Sequence, residues 1–117
     1  MGAPIFLKTF DFISLLFDMT EQFPNTERLV IITERLLNAG LKFQELLIEA
    51  NACNEKSKQN KINSAKAELN KIRIYLNLAL RWKILARERY SHVNGQMVEI
   101  TNLLIKWKAP VRVNLPN

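Results

Sequence analysis

The stretch NKIRIYLNLALRWKILARERY, Asn70 to Tyr90, decides how this 117-residue chain folds. Apolar side chains fall on nearly every side of a helix drawn through it. Lys71, Arg73, Arg81, Lys83, Arg87 and Arg89 are threaded among them, and only Glu88 opposes their charge. Together with the residues upstream, Ile62, Ala65, Leu69, Ile72, Leu76 and Ala79 recur at alternating three- and four-residue spacing, the pattern of one packed helical seam. Ile74, Leu78, Trp82 and Leu85 add a second seam to the same helix. A helix in a bundle needs one apolar stripe, so the surplus predicts a subunit interface through those four residues.

Working outward, the rest of the chain is helical too. Thr9 is placed to cap a first helix running to about Gln22, with Phe10, Ile13 and Phe17 on one stripe and Phe12, Leu15, Leu16 and Met19 widening it. Pro24 disfavours helix at Phe23, and Asn25 or Thr26 can cap the next helix. That second helix spans about Glu27 to Ala50 on Leu29, Ile32, Leu36, Gly40, Phe43, Leu47 and Ala50. Gly40 in mid-helix costs roughly 1 kcal/mol relative to Ala, which a close helix crossing would offset. Residues 51–60 read as a polar link, and a fourth helix runs from about Arg87 to Trp107 on Tyr90, Val93, Met97, Ile100 and Leu104. These segments predict an all-α fold, an up-down-up-down antiparallel four-helix bundle over residues 9–108. Residues 1–8 are then an N-terminal extension and 109–117 a loosely ordered tail.

Charge is distributed unevenly. The chain carries 17 Lys and Arg against 11 Asp and Glu, a net charge of +6. Through Glu55 there are 4 basic residues against 8 acids; from Lys56 onward there are 13 against 3. The second half is therefore the half to bind an anion. Cys53 is the single cysteine, no apolar run is long enough to span a bilayer, and the first residues carry no basic, long-apolar leader pattern. A cytoplasmic protein without membrane partners is expected.

Catalytic and metal-binding constellations are not visible in the sequence. His92 is the single histidine, and Arg89 stands where a Glu-x-x-His di-iron helix would need its glutamate. The glycines at 2, 40 and 95 form no phosphate-cradling loop. Asp11, Asp18 and Glu21 are read as a solvated helix face. No cofactor is expected, and the chain is read as a non-enzyme.

The basic residues support a different role. Arg73, Asn77 and Arg81 share a helix face at four-residue spacing, and Lys66 and Asn70 continue it toward the helix start. Tyr75, Trp82, Tyr90 and Trp107 stand nearby in sequence, as in many nucleic-acid surfaces. No base-reading motif is present, so binding should be driven by charge and shape. The candidate contacts are Arg73, Arg81, Lys66, Asn77, Lys83, Arg87, Arg89, Lys106 and Lys108.

The pieces TEQFPNTERLVIITERLLNAGLKFQELLIEANA, ELNKIRIYLNLALRWKIL and RYSHVNGQMVEITNLLIKWK resemble the accessory variability determinants, small four-helix proteins encoded beside a reverse transcriptase in diversity-generating retroelements. The resemblance covers roughly Phe10 to Lys108 and rests on a dispersed pattern. It implies a homopentameric, barrel-like assembly with a basic surface that binds RNA or DNA and associates with the reverse transcriptase. That enzyme copies a template RNA with errors at adenines. Arg73 and Arg81 stand at positions where such relatives usually have Arg. Asn77 stands where another Arg is common, Ala86 where a Ser-type cap is common, and Ile105 and Lys106 where Gly-Gly often precedes the closing Trp.

A related group, encoded in intervening sequences of large-subunit ribosomal RNA, shares the implied fold but carries a proline-containing turn where this chain reads LKFQELLIEANA. The retroelement resemblance is the better one. The competing expectation is a structural or protein-interaction bundle whose charge docks an acidic partner or ribosomal RNA.

Overall fold

The computed structural model describes residues 4–107. The expected tail at 109–117 and the candidate contact Lys108 lie outside the described residues. Four α-helices, α1 (Pro4–Thr20), α2 (Glu27–Ala52), α3 (Glu55–Arg81) and α4 (Arg87–Lys106), make up the described chain, with no strand among these residues. Each packs on two neighbours in cyclic order: α1 against α2 and α4, and α3 against α2 and α4. Short connections between packed neighbours make the bundle antiparallel. The α2–α3 pairing is the most extensive.

α1 begins earlier than Thr9. Pro4 is its first residue, where a missing N–H costs nothing and a fixed φ favours the helix. Thr9 is fully buried in mid-helix, and its hydroxyl donates to the Phe6 carbonyl at 3.2 Å rather than capping anything. Residues 4–8 are thus not an extension, since Ile5 and Phe6 belong to the core. The buried stripe of α1 is Ile5, Thr9, Phe12, Leu16 and Met19, while Phe17 is exposed.

The expected ten-residue link contracts to two residues, Cys53 and Asn54, between α2 and α3. The Asn54 side chain accepts from the Ser57 amide at 3.0 Å, and Glu55 adds a negative charge to the positive end of the helix. Residues 55–60 are polar as a loop is, but a well-capped helix start is polar too. Thr26 caps α2 in the same way through the Leu29 amide at 3.4 Å.

The core follows the expected seams. Ile62, Ala65, Leu69, Ile72, Leu76 and Ala79 are all buried on α3, and Val93, Met97, Ile100, Leu104 and Trp107 are buried along and just beyond α4. Phe12 meets Phe43 edge-on with ring centroids 6.4 Å apart. A Cβ on Gly40 would stand 3.2 Å from the Cδ1 atoms of Ile13 and Leu16, so the bare glycine lets the α1 side chains approach α2. Lys61 bridges to Glu49 at 2.7 Å and Lys8 to Glu99 at 2.8 Å, joining α3 to α2 and α1 to α4 at the surface.

One seam position is occupied by a cation. Lys58, one turn before Ile62, is 3% exposed, with no hydrogen-bond partner for its Nζ. It lies 4.6 Å from the ring centroid of Trp107, which also packs edge-on against Phe6. Burial pushes the Lys58 ammonium below the usual lysine value of 10.5, against a weaker raising pull from Glu55. In the window between that lowered value and 10.5, the unfolded chain binds the extra proton, so stability from this group rises with pH. Lys58→Met should therefore be more stable than the parent at pH 7, by on the order of 1 kcal/mol. The advantage should shrink as pH approaches 10.5, as urea unfolding at several pH values will show; a constant gap would mean that the buried charge is not its cause.

Candidate nucleic-acid interface

Four of the nine candidate contacts, Asn77, Arg81, Lys83 and Arg87, meet at the turn between α3 and α4. α3 ends in a six-residue reversal in which the Lys83 amide donates to the Leu80 carbonyl at 3.1 Å and the Ile84 amide to the Ala79 carbonyl at 2.9 Å. This pair of bonds is a Schellman motif, whose turning residue sits in the left-handed region normally given to glycine. Lys83 occupies it at φ 60°. A side chain there costs roughly 1–2 kcal/mol. The chain tolerates that strain while placing a cation at the apex of the turn.

Asn77, Arg81, Lys83 and Arg87 line one open groove of about 650 Å³ at this end of the bundle, with Leu80, Leu85 and Ala86 as its apolar walls. Three cations and one amide therefore come together with no carboxylate among the lining residues. Arg73 continues the row one turn below Asn77, half-buried, and Lys66 lies exposed seven residues further back. Asn77 is anchored by the Tyr90 hydroxyl, which donates to its Oδ1 at 2.7 Å across the α3–α4 seam. No local sequence signal pairs those two residues, which are 13 apart.

Two candidates fall elsewhere. Arg89 lines a separate groove between α1 and α4 with Leu15, Asp18, Met19, Glu88 and His92, where two acids oppose it. Lys106, exposed at the other end of α4, is about 28 Å of helix from Arg87. A third groove between α2 and α3 gathers Arg35, Lys42 and Lys71 beside Glu68, Asn38, Ala39 and Tyr75. Dividing charge by position along the chain hides this cluster, because Arg35 and Lys42 lie in the acidic half.

The aromatic neighbours separate as well. Trp107 is core, Tyr90 is tied to Asn77, Tyr75 faces the α2–α3 groove, and Trp82 is exposed. Of the expected interface seam, Ile74 and Trp82 are 50% and 52% exposed, and Leu78 is half-buried. Leu85 is corrected to the core, at 3% exposure: the reversal at Lys83 turns it inward, where extending the helix from Leu78 would have left it outside. Exposed apolar side chains also occur on other helices, with Leu41 and Ile48 on α2 and Val98 and Ile105 on α4. α4 opens at Ala86 without a side-chain cap. Among the described residues no helix is long and apolar enough to cross a membrane.

This fold has a solved counterpart. A crystal structure of a protein of unknown function from the S23 ribosomal protein family, from Bacteroides thetaiotaomicron VPI-5482, is similar with a TM-score of 0.79 and 24% identity, over 87% of this chain and 95% of that one. The sequence matches the bAvd-like family over residues 5–111, and the chain belongs to that family. No curated protein matches it.

The strained turn gives a direct test. Lys83→Gly should raise stability by about 1 kcal/mol, because the left-handed conformation no longer clashes with a Cβ. A lower urea midpoint for the variant would show that the lysine stem contributes packing that outweighs the strain.

Proposed function

We propose that this chain is a non-enzymatic, nucleic-acid-binding accessory subunit of the reverse transcriptase of a diversity-generating retroelement, acting in the cytoplasm to support adenine-directed mutagenic copying of a template RNA. Membership of the bAvd-like family supports the association with a retroelement reverse transcriptase. The observation that carries the binding role is the groove of Asn77, Arg81, Lys83 and Arg87, where cations gather without a carboxylate and one is held in a strained turn. Phosphate oxygens are the natural counterion of such a cluster. Arg81 in the groove and Arg73 one turn below it are the leading contacts, with Lys66 extending the row along α3.

RNA binding measured by fluorescence anisotropy with a structured RNA, from about 50 to 300 mM salt, should weaken by orders of magnitude across the range. The pair Arg73→Glu and Arg81→Glu should abolish binding and leave oligomer size unchanged. Undiminished affinity in that variant would remove these two residues from the site. Absence of binding by the parent at low salt would favour a second reading, a bundle docking an acidic protein. The S23 ribosomal protein family of the structural neighbour makes ribosomal RNA a further partner to compare in the same assay.

The assembly is proposed as a homopentamer, with Ile74, Leu78 and Trp82 contributing to subunit contacts. Light scattering behind size exclusion should give about five times the chain mass of 13.6 kDa. Ile74→Asp with Trp82→Ser should shift that mass downward; a monomeric parent would overturn the assembly.

A further inference from the structure

One flank of α3 carries a second regularity beside its cations. Asn63, Lys66, Asn70, Arg73, Asn77 and Arg81 follow one another at three- and four-residue spacing, so they form one stripe. All are exposed except Arg73, which is half-buried. Of the acids of α3, Glu68 stands off this stripe, paired with Lys71 at 3.0 Å and lining the α2–α3 groove, and Glu55 lies on the same line two turns before Asn63, at the start of the helix.

The amides in this row are not neutral fillers. Asn77 Oδ1 accepts from the Tyr90 hydroxyl at 2.7 Å, and Asn63 Oδ1 accepts from Gln59 Nε2 at 3.1 Å. Each of these two side chains has its acceptor oxygen engaged by a neighbour and keeps its NH₂ donors for a ligand. Lys and Arg have donors only. The stripe thus presents N–H groups along a length of about 27 Å. A ligand that fits it must offer a matching row of acceptors.

We propose that this donor stripe is a track for the sugar–phosphate backbone of a single nucleic-acid strand, with Lys66, Arg73 and Arg81 on phosphates and Asn63, Asn70 and Asn77 donating to phosphate or sugar oxygens between them. The inference rests on the nucleic-acid reading above and deepens it, by naming the part of the ligand that is held. The six side chains are all polar, whereas a protein partner would need a desolvated apolar centre, and the one exposed apolar side chain at the same helical spacing, Ile74, is given above to subunit contacts. No member is aromatic, and Tyr90, which reaches the row at Asn77, is half-buried and held there by its hydroxyl. The strand is gripped by its backbone, and base identity is left unread along this face.

The test uses the full chain and two labelled probes of about 12 nucleotides, a single-stranded RNA and an abasic strand of the same length, titrated by anisotropy across salt. The abasic strand should bind within about threefold of the RNA. The triple variant Lys66→Gln, Arg73→Gln, Arg81→Gln should flatten the slope of log affinity against log salt by about 2, at roughly 0.7 per lost single-strand contact. Asn63→Ala with Asn70→Ala, which leaves the Tyr90–Asn77 bond in place, should weaken binding about tenfold with an unchanged slope. An abasic strand that binds more than tenfold more weakly, a triple variant with the parental slope, or an amide double variant with parental affinity would each overturn the track. If the parent binds neither probe at low salt, the nucleic-acid reading itself fails and the track falls with it.

Discussion

Burial of the α3 seam between its neighbours fixes the rotation of that helix, and most other features depend on that rotation. With Ile62, Ala65, Leu69, Ile72, Leu76 and Ala79 turned inward, Lys66, Arg73, Asn77 and Arg81 fall along the flank of that seam, exposed except for Arg73, which is half-buried. Burying a medium-sized apolar side chain stabilises by about 1.5–3 kcal/mol, so rolling the helix by even one position would forfeit several such contributions. No surface charge interaction has comparable weight. The cationic row is therefore held in place by packing, which it does not itself strengthen.

The turn after α3 extends the same logic. Once the helix is fixed, the reversal at Lys83 determines where α4 begins and brings Arg87 beside Arg81 in one groove. Glycine would make that reversal with less strain. A lysine there concentrates charge where two helices meet, and the backbone carries the cost. The Tyr90–Asn77 hydrogen bond then ties the start of α4 to the exposed side of α3.

Periodicity makes the core legible: every residue of the first α3 seam named from spacing alone is buried, as are those of α4 from Val93 to Trp107. The ends of elements are harder to read. Pro4 and Thr9 both carry helix-start signals, and spacing does not rank them; in the fold Pro4 opens the helix and the Thr9 hydroxyl turns back onto it. Asn54 lies in a polar run that resembles a link, although its spacing to Ser57 is that of a cap. Leu85 departs from its expected place because helical extrapolation cannot foresee a left-handed residue that is not glycine. The site is half legible: the α3 row follows from spacing, but the grouping with Lys83 and Arg87, the separation of Arg89, and the Arg35–Lys42–Lys71 groove depend on contacts between helices.

The two-residue connection at Cys53 and Asn54 also bears on how the chain reaches this state. A loop that short closes with little loss of chain entropy, and it joins the two longest helices, whose mutual contacts are the most extensive in the bundle. The α2–α3 hairpin is thus the unit able to form first from local contacts, with α1 and α4 docking onto it from either end of the sequence. The helix that bears the cationic row belongs to this hairpin. The surface proposed for nucleic acid is then built on the part of the molecule whose contacts are the most local.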